Sequence, residues 1–415
     1  ASFPSGRPKA RMSSCSSDDD IPELVPAPEP PRAPERRRVP VTILTGFLGS
    51  GKTSLLRWIL QGDHGLRIAV VENDFGDTGG LEGVIARDGV DGEPQKIVEM
   101  PNGCVCCSVK DELVDTLEML VTRGPRTFDA VVIETTGLAN PGPVATAFWL
   151  DEALQSNLVL DAVVTVVDAM QMPRYLEQEH SPEATAQVAF ADRILLNKKD
   201  LVEEEELKRL TSVLRTINPS AEIRETFRAQ VPLSWILGTE CFGKRVEEEL
   251  QRAMALPGGL WTKPSKKELS LSHGLRVGTG KVSSTGRLGR RRLRRFLSDL
   301  LWENTGPGAT AAGLEGVSAE CLDNRTPQER AAKMEILRIK GAVWLAPESA
   351  EVEEDAEAIP HVVQGVYDLF EVEPFQDAEN IPEWMRENSR TNRLVFIGRN
   401  LDMDELDRGF QRCRA

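Results

Sequence analysis

The amino-acid sequence predicts an α/β fold, in which a mostly parallel sheet covered by helices is followed by a smaller α+β domain. Two observations predict the sheet: short, almost wholly apolar runs recur after residue 39, and helical patterns separate them. Such strands are buried on both faces, as in a parallel sheet with helices on each side. A third observation is that residues 1–38 are rich in proline and serine and poor in large apolar side chains, which predicts a disordered N-terminal tail.

The first domain is expected to span residues 39–258 and to end where the sequence Leu256-Pro-Gly-Gly259 interrupts the alternation. Its apolar runs are rich in β-branched residues, and its helical patterns repeat apolar residues every three to four positions. Strands are predicted at Val39–Thr45, Arg67–Val71, Ala130–Ile133, Ala162–Val167 and Arg193–Leu196, and helices at Thr53–Gln61, Asp111–Thr122 and Glu203–Ile217.

The second domain, residues 262–411, shows fewer and more scattered alternations. Strands are predicted at Leu269–Leu271, Ile336–Leu345, Val362–Phe370 and Arg393–Ile397, and helices at Arg291–Leu301 and Asp402–Phe410. The basic run Arg290–Arg295 shares helical spacing with Leu293 and Leu297. It is therefore interpreted as the solvated face of an amphipathic helix, not as a nucleic-acid site.

Composition limits the classes of function. A net charge of −15 argues against nucleic acid or an anionic membrane surface as the main partner. No apolar run approaches the roughly 20 residues of a membrane span, and the first residues lack the apolar core of a signal peptide. Seven cysteines, an odd number, fit a reducing compartment. We therefore expect a cytoplasmic protein, with a nuclear location also open, in which residues before Met12 are an upstream extension or a trimmed leader.

A glycine-rich loop between the first strand and the first helix carries the strongest functional signal. It matches G-x-x-x-x-G-K-[ST], a phosphate-binding loop whose backbone N–H groups surround the phosphates of a nucleotide. Lys52 is expected to reach the β- and γ-phosphates and Thr53 to bind Mg²⁺, while the N-terminus of the helix favours the anion. The loop residues are Gly46, Phe47, Leu48, Gly49, Ser50, Gly51, Lys52 and Thr53.

Two further segments lie where such a fold places its catalytic groups. Glu134 ends an apolar strand, which is where P-loop NTPases place a carboxylate that orients Mg²⁺ through water. Gly137 follows three residues later and could offer its backbone N–H to the γ-phosphate. The segment Glu72–Gly76 follows the preceding strand. Asp74, or its neighbour Asp77, could there bind Mg²⁺ or position the attacking water, although an ordinary polar turn explains the segment nearly as well.

The strand that ends at Leu196 is followed by N-K-x-D. A carboxylate in this position can accept hydrogen bonds from both N–H groups of guanine, and adenine has no matching pair of donors. The other residues would hold the loop and cover the base. The motif therefore favours GTP and consists of Asn197, Lys198, Lys199 and Asp200.

Three cysteines lie within four residues, at Cys104, Cys106 and Cys107. Thiolates are soft ligands that suit Zn²⁺ or Cu(I), and this spacing departs from that of closed structural zinc sites. An open, exchangeable metal site is favoured over buried apolar cysteines or a redox pair, with His273 as the best additional ligand. The other cysteines are isolated. Residues leading into the following helix could also offer amides to the nucleotide: Cys107, Ser108, Val109, Lys110 and Asp111.

The ordered motifs G-F-L-G-S-G-K-T, E-N-D-F-G, G-C-V-C-C-S, E-T-T-G-L-A-N-P and N-K-K-D together resemble those of the CobW-type GTPases. Among these, the sequence is most similar to the eukaryotic zinc-regulated GTPase metalloprotein activators, over about residues 39–411. The resemblance implies a GTPase that uses GTP and Mg²⁺, carries Zn²⁺ on its three clustered cysteines and delivers it to a client, which in the eukaryotic group is type 1 methionine aminopeptidase.

The tail contains a short apolar island that composition alone leaves open between a peptide ligand and a chance cluster. The resemblance favours the former, because relatives dock on the zinc finger of the aminopeptidase through a similar motif. The island consists of Ile21, Pro22, Glu23, Leu24, Val25 and Pro26. Three other functions stay open: insertion of nickel or cobalt, a non-hydrolysing nucleotide-gated adaptor with structural zinc, and a small-molecule kinase.

Overall fold

The structure is a computed structural model of the whole chain. It describes residues 38–62, 64–72, 97–99, 117, 128–150, 154, 157–177, 182–242, 249, 252–253, 277–303, 334–346, 359–375, 381, 383–386 and 390–415. The predicted helix Asp111–Thr122, apart from Leu117, and the predicted strand Leu269–Leu271 lie outside these ranges. So do the segments on either side of residue 258, so the boundaries of the two domains stay predictions.

Seven strands among the described residues form a parallel sheet. They are β1 (Val39–Thr45), β2 (Ile68–Glu72), β3 (Ile97–Glu99), β4 (Ala130–Glu134), β5 (Leu158–Asp168), β6 (Arg193–Asn197) and β7 (Glu222–Glu225). Their order is β3-β2-β4-β1-β5-β6-β7, so β1 is central between β4 and β5. The central strand is buried on both faces, and its apolar sequence explains why. Each predicted strand of this sheet is confirmed within a few residues.

The helices of the parallel sheet connect successive strands. They are α1 (Lys52–Gln61), α2 (Gly142–Leu150), α3 (Met172–Glu177), α4 (Pro182–Phe190) and α5 (Glu204–Ile217), with short 3-10 turns at Lys199–Leu201 and Leu233–Trp235. The last of these helices shows the sequence logic most clearly. It buries Leu207, Leu210, Leu214 and Ile217 on one face, and its first turn is acidic, which complements the helix dipole.

The C-terminal residues form an antiparallel sheet of five described strands. They are β8 (Val277–Thr285), β9 (Glu335–Leu345), β10 (Ile359–Val366), β11 (Leu369–Pro374) and β12 (Thr391–Arg399), in the order β11-β10-β9-β12-β8. The single strand predicted at Val362–Phe370 is wrong, because the chain reverses at Tyr367 and Asp368 and pairs Val366 with Leu369. This two-residue turn contains neither glycine nor asparagine, the residues that usually mark such a hairpin.

Helices α6 (Arg290–Ser298), α7 (Glu383–Arg386) and α8 (Met403–Gln411) accompany this sheet, and a π-helical turn, Asp299–Glu303, continues α6. Helix α6 buries Leu293 and Leu297 and exposes most of its arginines, as expected for an amphipathic helix. Asp402 caps α8 by accepting hydrogen bonds from the backbone N–H groups of Asp404 and Glu405, both at 3.0 Å. No helix among the described residues is long and apolar enough to cross a membrane.

The two sheets share a core within one compact unit, residues 38–415. Val277, Leu337, Val366 and Ile397 of the antiparallel sheet belong to the same buried apolar cluster as the helices of the parallel sheet. A buried ion network also joins the sheets, since Asp192, which precedes β6, pairs with Arg338 and Lys340 of β9. The position of the second sheet is therefore fixed against the first by both apolar packing and charge.

Candidate nucleotide site

The predicted nucleotide groups lie along one edge of the parallel sheet. Thr45, Glu134, Asp168 and Asn197 are the last residues of β1, β4, β5 and β6, which are consecutive neighbours in the order β4-β1-β5-β6. Because parallel strands all end at the same edge, the loops that follow these residues converge there. Open α/β sheets bind their ligands in the crevice at this carboxyl edge.

Three glycines give the loop after β1 its shape. Gly46, Gly49 and Gly51 have φ angles of +142°, +72° and +111°, which L side chains rarely adopt. A Cβ atom on Gly46 would lie 2.2 Å from the carbonyl oxygen of Val166 in β5, so the loop must pass β5 closely. The motif glycines are thus required by backbone conformation and by contact with the sheet.

Lys52 begins α1 directly behind this loop. Its side chain is buried, and its ammonium donates a hydrogen bond to the carbonyl of Gly46 at 2.8 Å, so it lies across the loop. The first turn of α1 contains no acidic residue that would offset the positive end of the helix dipole. Among the described residues, the Ser50 hydroxyl is buried in the same loop without a hydrogen-bond partner. A loop with these features fits an anionic phosphate group.

The Asn197 side chain ties the phosphate-binding loop to the Ala229 loop at the same edge. Its side-chain amide donates to the carbonyl of Ser50 at 2.9 Å, and its side-chain oxygen accepts from the backbone N–H of Ala229 at 2.9 Å. The amide is fully enclosed, and a Cβ on Gly51 would lie 2.4 Å from its nitrogen. The asparagine of N-K-x-D therefore bonds to the protein itself and sets the spacing between the phosphate and base regions.

The rest of the motif turns away from the core. Lys198 has a left-handed φ of +61°, and its ammonium forms an ion pair with Asp168 at 2.7 Å. Asp168 also accepts hydrogen bonds from the backbone N–H groups of Met170 and Gln171, which fixes its carboxylate. Lys199 and Asp200 lie in the following 3-10 turn and are exposed, so the Asp200 carboxylate is available to a ligand.

The segment after β7, residues Thr226–Gln230, is a part of this edge that the sequence motifs did not reveal. Arg228 and Ala229 have consecutive left-handed φ angles of +52° and +58°, and Ala229 is buried against Asn197. The Thr226 hydroxyl closes the turn by donating to the carbonyl of Gln230 at 2.7 Å. The signal was weak because β7 is short and charged.

The loop after Glu134 lies against the phosphate-binding loop. Glu134 pairs with Leu44 across β4 and β1, and the Thr135 hydroxyl donates to that of Thr45 at 2.9 Å. A Cβ on Gly137 would lie 2.8 Å from the backbone nitrogen of Leu48. Only glycine permits this approach, so a change in the phosphate-binding loop would be felt directly at Gly137.

Several predicted site residues lie outside the described residues. They are Asp74, Cys104, Cys106, Cys107, Ser108, Val109, Lys110, Asp111, His273 and the island from Ile21 to Pro26, namely Ile21, Pro22, Glu23, Leu24, Val25 and Pro26. Within the part of the chain that the structure does describe, no cluster of three or more His, Cys, Asp or Glu could hold a metal ion.

Two isolated cysteines fall within the described ranges, and both are buried. Burial, together with the nearby carboxylates of Glu249 and Asp192, raises the pKa of Cys241 to about 12. Burial likewise raises the pKa of Cys413 to about 11, although Arg292 opposes the shift. Thiols with such pKa values are protonated at neutral pH, and neither cysteine lies in a metal-ligand cluster among the described residues, which fits a structural role.

A parallel sheet with a glycine loop, a lysine at the start of the following helix and N-K-x-D at the same edge defines a P-loop GTPase. Comparison with known families narrows the class. Residues 40–225 match the model of the CobW/HypB/UreG nucleotide-binding domain, and residues 317–414 match that of the cobalamin synthesis protein CobW C-terminal domain. The chain belongs to the CobW family of P-loop GTPases.

Individual relatives extend the comparison. The chain is 45% identical over 216 residues to the zinc-regulated GTPase metalloprotein activator 1 of Schizosaccharomyces pombe, covering 51% of this chain and 52% of that protein. It is 28% identical over 397 residues to the protein of the same name from Saccharomyces cerevisiae, covering 90% and 83%. The first match thus spans about half the length of that relative.

Solved structures extend the comparison to the fold. The Zn(II)-bound YjiA GTPase from E. coli has a TM-score of 0.61 and 26% sequence identity to this chain. The alignment covers 92% of this chain and 100% of the YjiA chain, so it includes both sheets.

Proposed function

We propose that this chain is a GTP-hydrolysing zinc metallochaperone, which uses the nucleotide cycle to control the transfer of Zn²⁺ to a client metalloenzyme. The observation that carries the nucleotide half is the Asn197 side chain, which bonds to the phosphate-binding loop and to the Ala229 loop at once. The zinc half draws its support from the cysteine triplet and from relatives named as zinc-regulated activators or as zinc-bound.

Phosphate binding is assigned to the loop Gly46–Thr53. Its N–H groups and the positive end of α1 surround the phosphates, and the Lys52 ammonium exchanges the Gly46 carbonyl for β- and γ-phosphate oxygens. The Thr53 hydroxyl would be a direct oxygen ligand of Mg²⁺, the Glu134 carboxylate would orient the ion through water, and the ion would neutralise phosphate charge there. Thr53 is exposed at the start of α1, which leaves its hydroxyl accessible.

Guanine selection is assigned to Asp200. Its exposed carboxylate accepts the ring N–H and the amino N–H of guanine, while Lys198, held by Asp168, covers the base. Adenine presents no such pair of donors to a carboxylate, so ATP leaves Asp200 unpaired.

Hydrolysis transfers the γ-phosphoryl group to water, with the bond to the β-phosphate oxygen breaking as the bond to the water oxygen forms. Glu134, the last residue of β4, and Gly137, in the loop that follows, are assigned to this position, and Asp74 is the candidate for orienting the water. Release of the γ-phosphate then removes the contact to the Gly137 N–H.

Zinc is the cargo in this proposal. Cys104, Cys106 and Cys107 are assigned to bind it as thiolates, and amides of the segment from Cys107 to Asp111 are expected to contact the nucleotide phosphates, which would couple the metal loop to the nucleotide. Hydrolysis can drive transfer only if the cysteines bind zinc with different affinity in the GTP and GDP states. The client assigned by resemblance is type 1 methionine aminopeptidase, docked through residues 21–26.

The test measures GTP turnover and zinc transfer to apo type 1 methionine aminopeptidase, with the full chain and with a chain lacking residues 18–26. We expect transfer that requires GTP and falls when the tail is shortened. Transfer at the same rate with GDP would refute the nucleotide coupling, and no transfer under any condition would refute the chaperone function. Transfer unaffected by the deletion would refute the docking role of the island.

A nucleotide control isolates the GTP half. Asp200→Asn should lose GTP binding and gain XTP binding, because the carboxamide of asparagine can donate to the 2-oxygen of xanthine. Asp407→Asn, an exposed residue of α8, is the matched control and should bind GTP as the unmodified chain does. Equal GTP affinity in both variants would contradict the assignment of Asp200.

A further inference from the structure

Tyr367 stands at the tip of the β10–β11 hairpin, in a backbone conformation that tyrosine disfavours. Its φ angle is +55°, in the left-handed region where glycine or asparagine normally makes a two-residue hairpin turn. Its N–H is held by the carbonyl of Leu337 at 3.1 Å. A large side chain persists in such a strained conformation only where surrounding contacts hold it, so the contacts of the tyrosine ring indicate its role.

That side chain leaves its own sheet and reaches the loop that follows β4. The Asn140 amide donates a hydrogen bond to the Tyr367 hydroxyl. The tyrosine ring stacks on Phe190 at the end of α4, with centroids 5.1 Å apart and planes at 28°. A Cβ on Gly142 would lie 2.1 Å from a ring carbon, so only glycine leaves room for the ring here.

Asn140 connects this contact to the backbone of the loop. Its side-chain oxygen accepts the N–H of Gly142 at 3.0 Å, which fixes the amide so that its nitrogen faces the tyrosine. At the other end of the loop, the buried Gln187 amide donates to the carbonyls of Gly137 and Ala139 at 3.1 and 2.9 Å. The segment 137–142 is therefore held on one side by Gln187 of helix α4 and on the other by Tyr367 of the antiparallel sheet.

We propose that Tyr367 is a positioning residue, which couples the nucleotide state of the loop 137–142 to the β10–β11 hairpin of the antiparallel sheet. This inference rests on the proposed function, in which Gly137 contacts the γ-phosphate of GTP. Because Gly137 lies against Leu48, gain or loss of that phosphate changes the loop, and Asn140 passes the change to the hydroxyl of Tyr367. Coupling of this kind is reciprocal, so the hairpin contact also changes the preference of the loop for GTP over GDP.

A second hydrogen bond across the same pair of sheets provides the matched control. The Thr279 hydroxyl of β8 donates to the carbonyl of Ile217 at the end of α5, at 3.1 Å. Like the tyrosine contact, it joins a side chain of the antiparallel sheet to the other sheet's layer. It ends on a helix terminus and not on the loop 137–142, so Thr279→Val removes a similar contact without touching the nucleotide.

The experiment compares the full chain, Tyr367→Phe and Thr279→Val. Tyr367→Phe keeps the ring on Phe190 and removes only the hydroxyl. Two quantities are measured for each protein: the ratio of the Kd values for GDP and for a non-hydrolysable GTP analogue, and the hydrogen exchange of amides 359–374 in each nucleotide state.

In the unmodified chain, we expect hairpin amides to exchange at different rates in the two states. In Tyr367→Phe that difference should disappear, and the Kd ratio should shift by roughly two- to tenfold, the range for one hydrogen bond. Thr279→Val should retain both properties. A purely structural role would alter exchange equally in both nucleotide states and leave the Kd ratio unchanged.

Hairpin exchange that is the same with GDP and with the analogue in the unmodified chain would overturn the inference. Equal shifts of the Kd ratio in the two variants would also overturn it, because the effect would then belong to the sheet interface in general. Either result would leave GTP binding and zinc transfer intact. If neither nucleotide binds, the proposed function fails together with the coupling.

Discussion

Removing the charge of Asp192 should destabilise the protein more than any surface ion pair can. The carboxylate is fully buried and receives three donors: the backbone N–H of Val163 at 2.8 Å, the ammonium of Lys340 at 2.8 Å and the guanidinium of Arg338. Both cations are themselves buried: 1% of the Arg338 side chain and 4% of the Lys340 side chain are exposed. In Asp192→Asn they lose their shared anion while staying buried.

The magnitude follows from that burial. Breaking a buried pair by removing one partner typically costs about 3–5 kcal/mol, because the remaining charge is left uncompensated. Glu249 still neutralises Lys340, so Arg338 loses the most. With an m-value of about 3 kcal/mol/M, a loss of about 3 kcal/mol moves the urea midpoint down by roughly 1 M.

The assay is urea unfolding followed by tryptophan fluorescence, with Glu204→Gln as the matched control. Glu204 pairs with Lys208 at 2.8 Å on the surface of α5, where both side chains are more than half exposed. An exposed helical pair of this kind contributes about 0.3–0.5 kcal/mol. Equal loss in the two variants would refute the reasoning, because the larger effect is predicted from the burial of Asp192 and its cationic partners, which the exposed Glu204–Lys208 pair lacks.

The pH dependence of stability provides a second test of the Asp192→Asn substitution. Burial alone would raise the pKa of Asp192, but Arg338 and Lys340 outweigh it and hold the pKa below the ordinary value of 3.8. The stabilisation is therefore complete above that ordinary value and is lost as the pH falls through the lowered one. Asp192→Asn cannot show this component, so its stability should fall less steeply on acidification below about pH 4.

Three other predictions use groups in different parts of the molecule. Burial lowers the pKa of His361 below its ordinary 6.5, so stability should be complete above that value and fall as the pH drops below it, and urea unfolding of His361→Gln should show a smaller slope between pH 7 and 5. Alkylation at pH 8 followed by mass spectrometry should leave Cys241 and Cys413 unmodified until denaturant is added, and rapid native labelling would contradict their raised pKa values. Gly51→Ala should weaken GTP binding at least about 100-fold by calorimetry, because its Cβ would lie 2.4 Å from the Asn197 amide at a φ of +111°, and near-normal affinity would contradict that geometry.

The parts of the fold that the sequence predicted well are those with strong local signals. The strand Val39–Thr45 has the bounds that the sequence predicts, since a β-branched run directly before a glycine loop indicates a buried strand. Helix α5 was predicted to within one residue, because its apolar spacing and acidic first turn agree. In such segments, burial pattern and local propensity favour the same structure.

The strands that were missed have weak or misleading local patterns. Strand β8, Val277–Thr285, contains two glycines and several polar residues, and its buried positions are set by pairing with β12. Strand β7 is a four-residue edge strand with three charged residues in its sequence. The sequence predicts one strand across the hairpin at Tyr367, because the turn contains no glycine or asparagine that would mark it.

The candidate site likewise contains residues that local motifs predict and residues that they do not. The phosphate-binding loop and N-K-x-D carry their spacing in the sequence, and Asn197 could be named although its partners could not. Asn140 and Tyr367 are separated by 227 residues, and Asp192 and Arg338 by 146. No local pattern marks such pairs, since tertiary packing brings them together only once both sheets have formed.

The two long-range contacts join the same pair of sheets but differ in how firmly they do so. The Asp192 network is fully enclosed and made by β9, in the interior of the antiparallel sheet. The Tyr367 contact is half-buried and made by the tip of a hairpin whose strand β11 is the sheet edge. Because the buried charges hold β9 in place, a displacement at Asn140 would meet a fixed sheet and a more easily moved hairpin. A nucleotide signal that enters through this loop should therefore emerge at β10 and β11, which is where the exchange experiment looks for it.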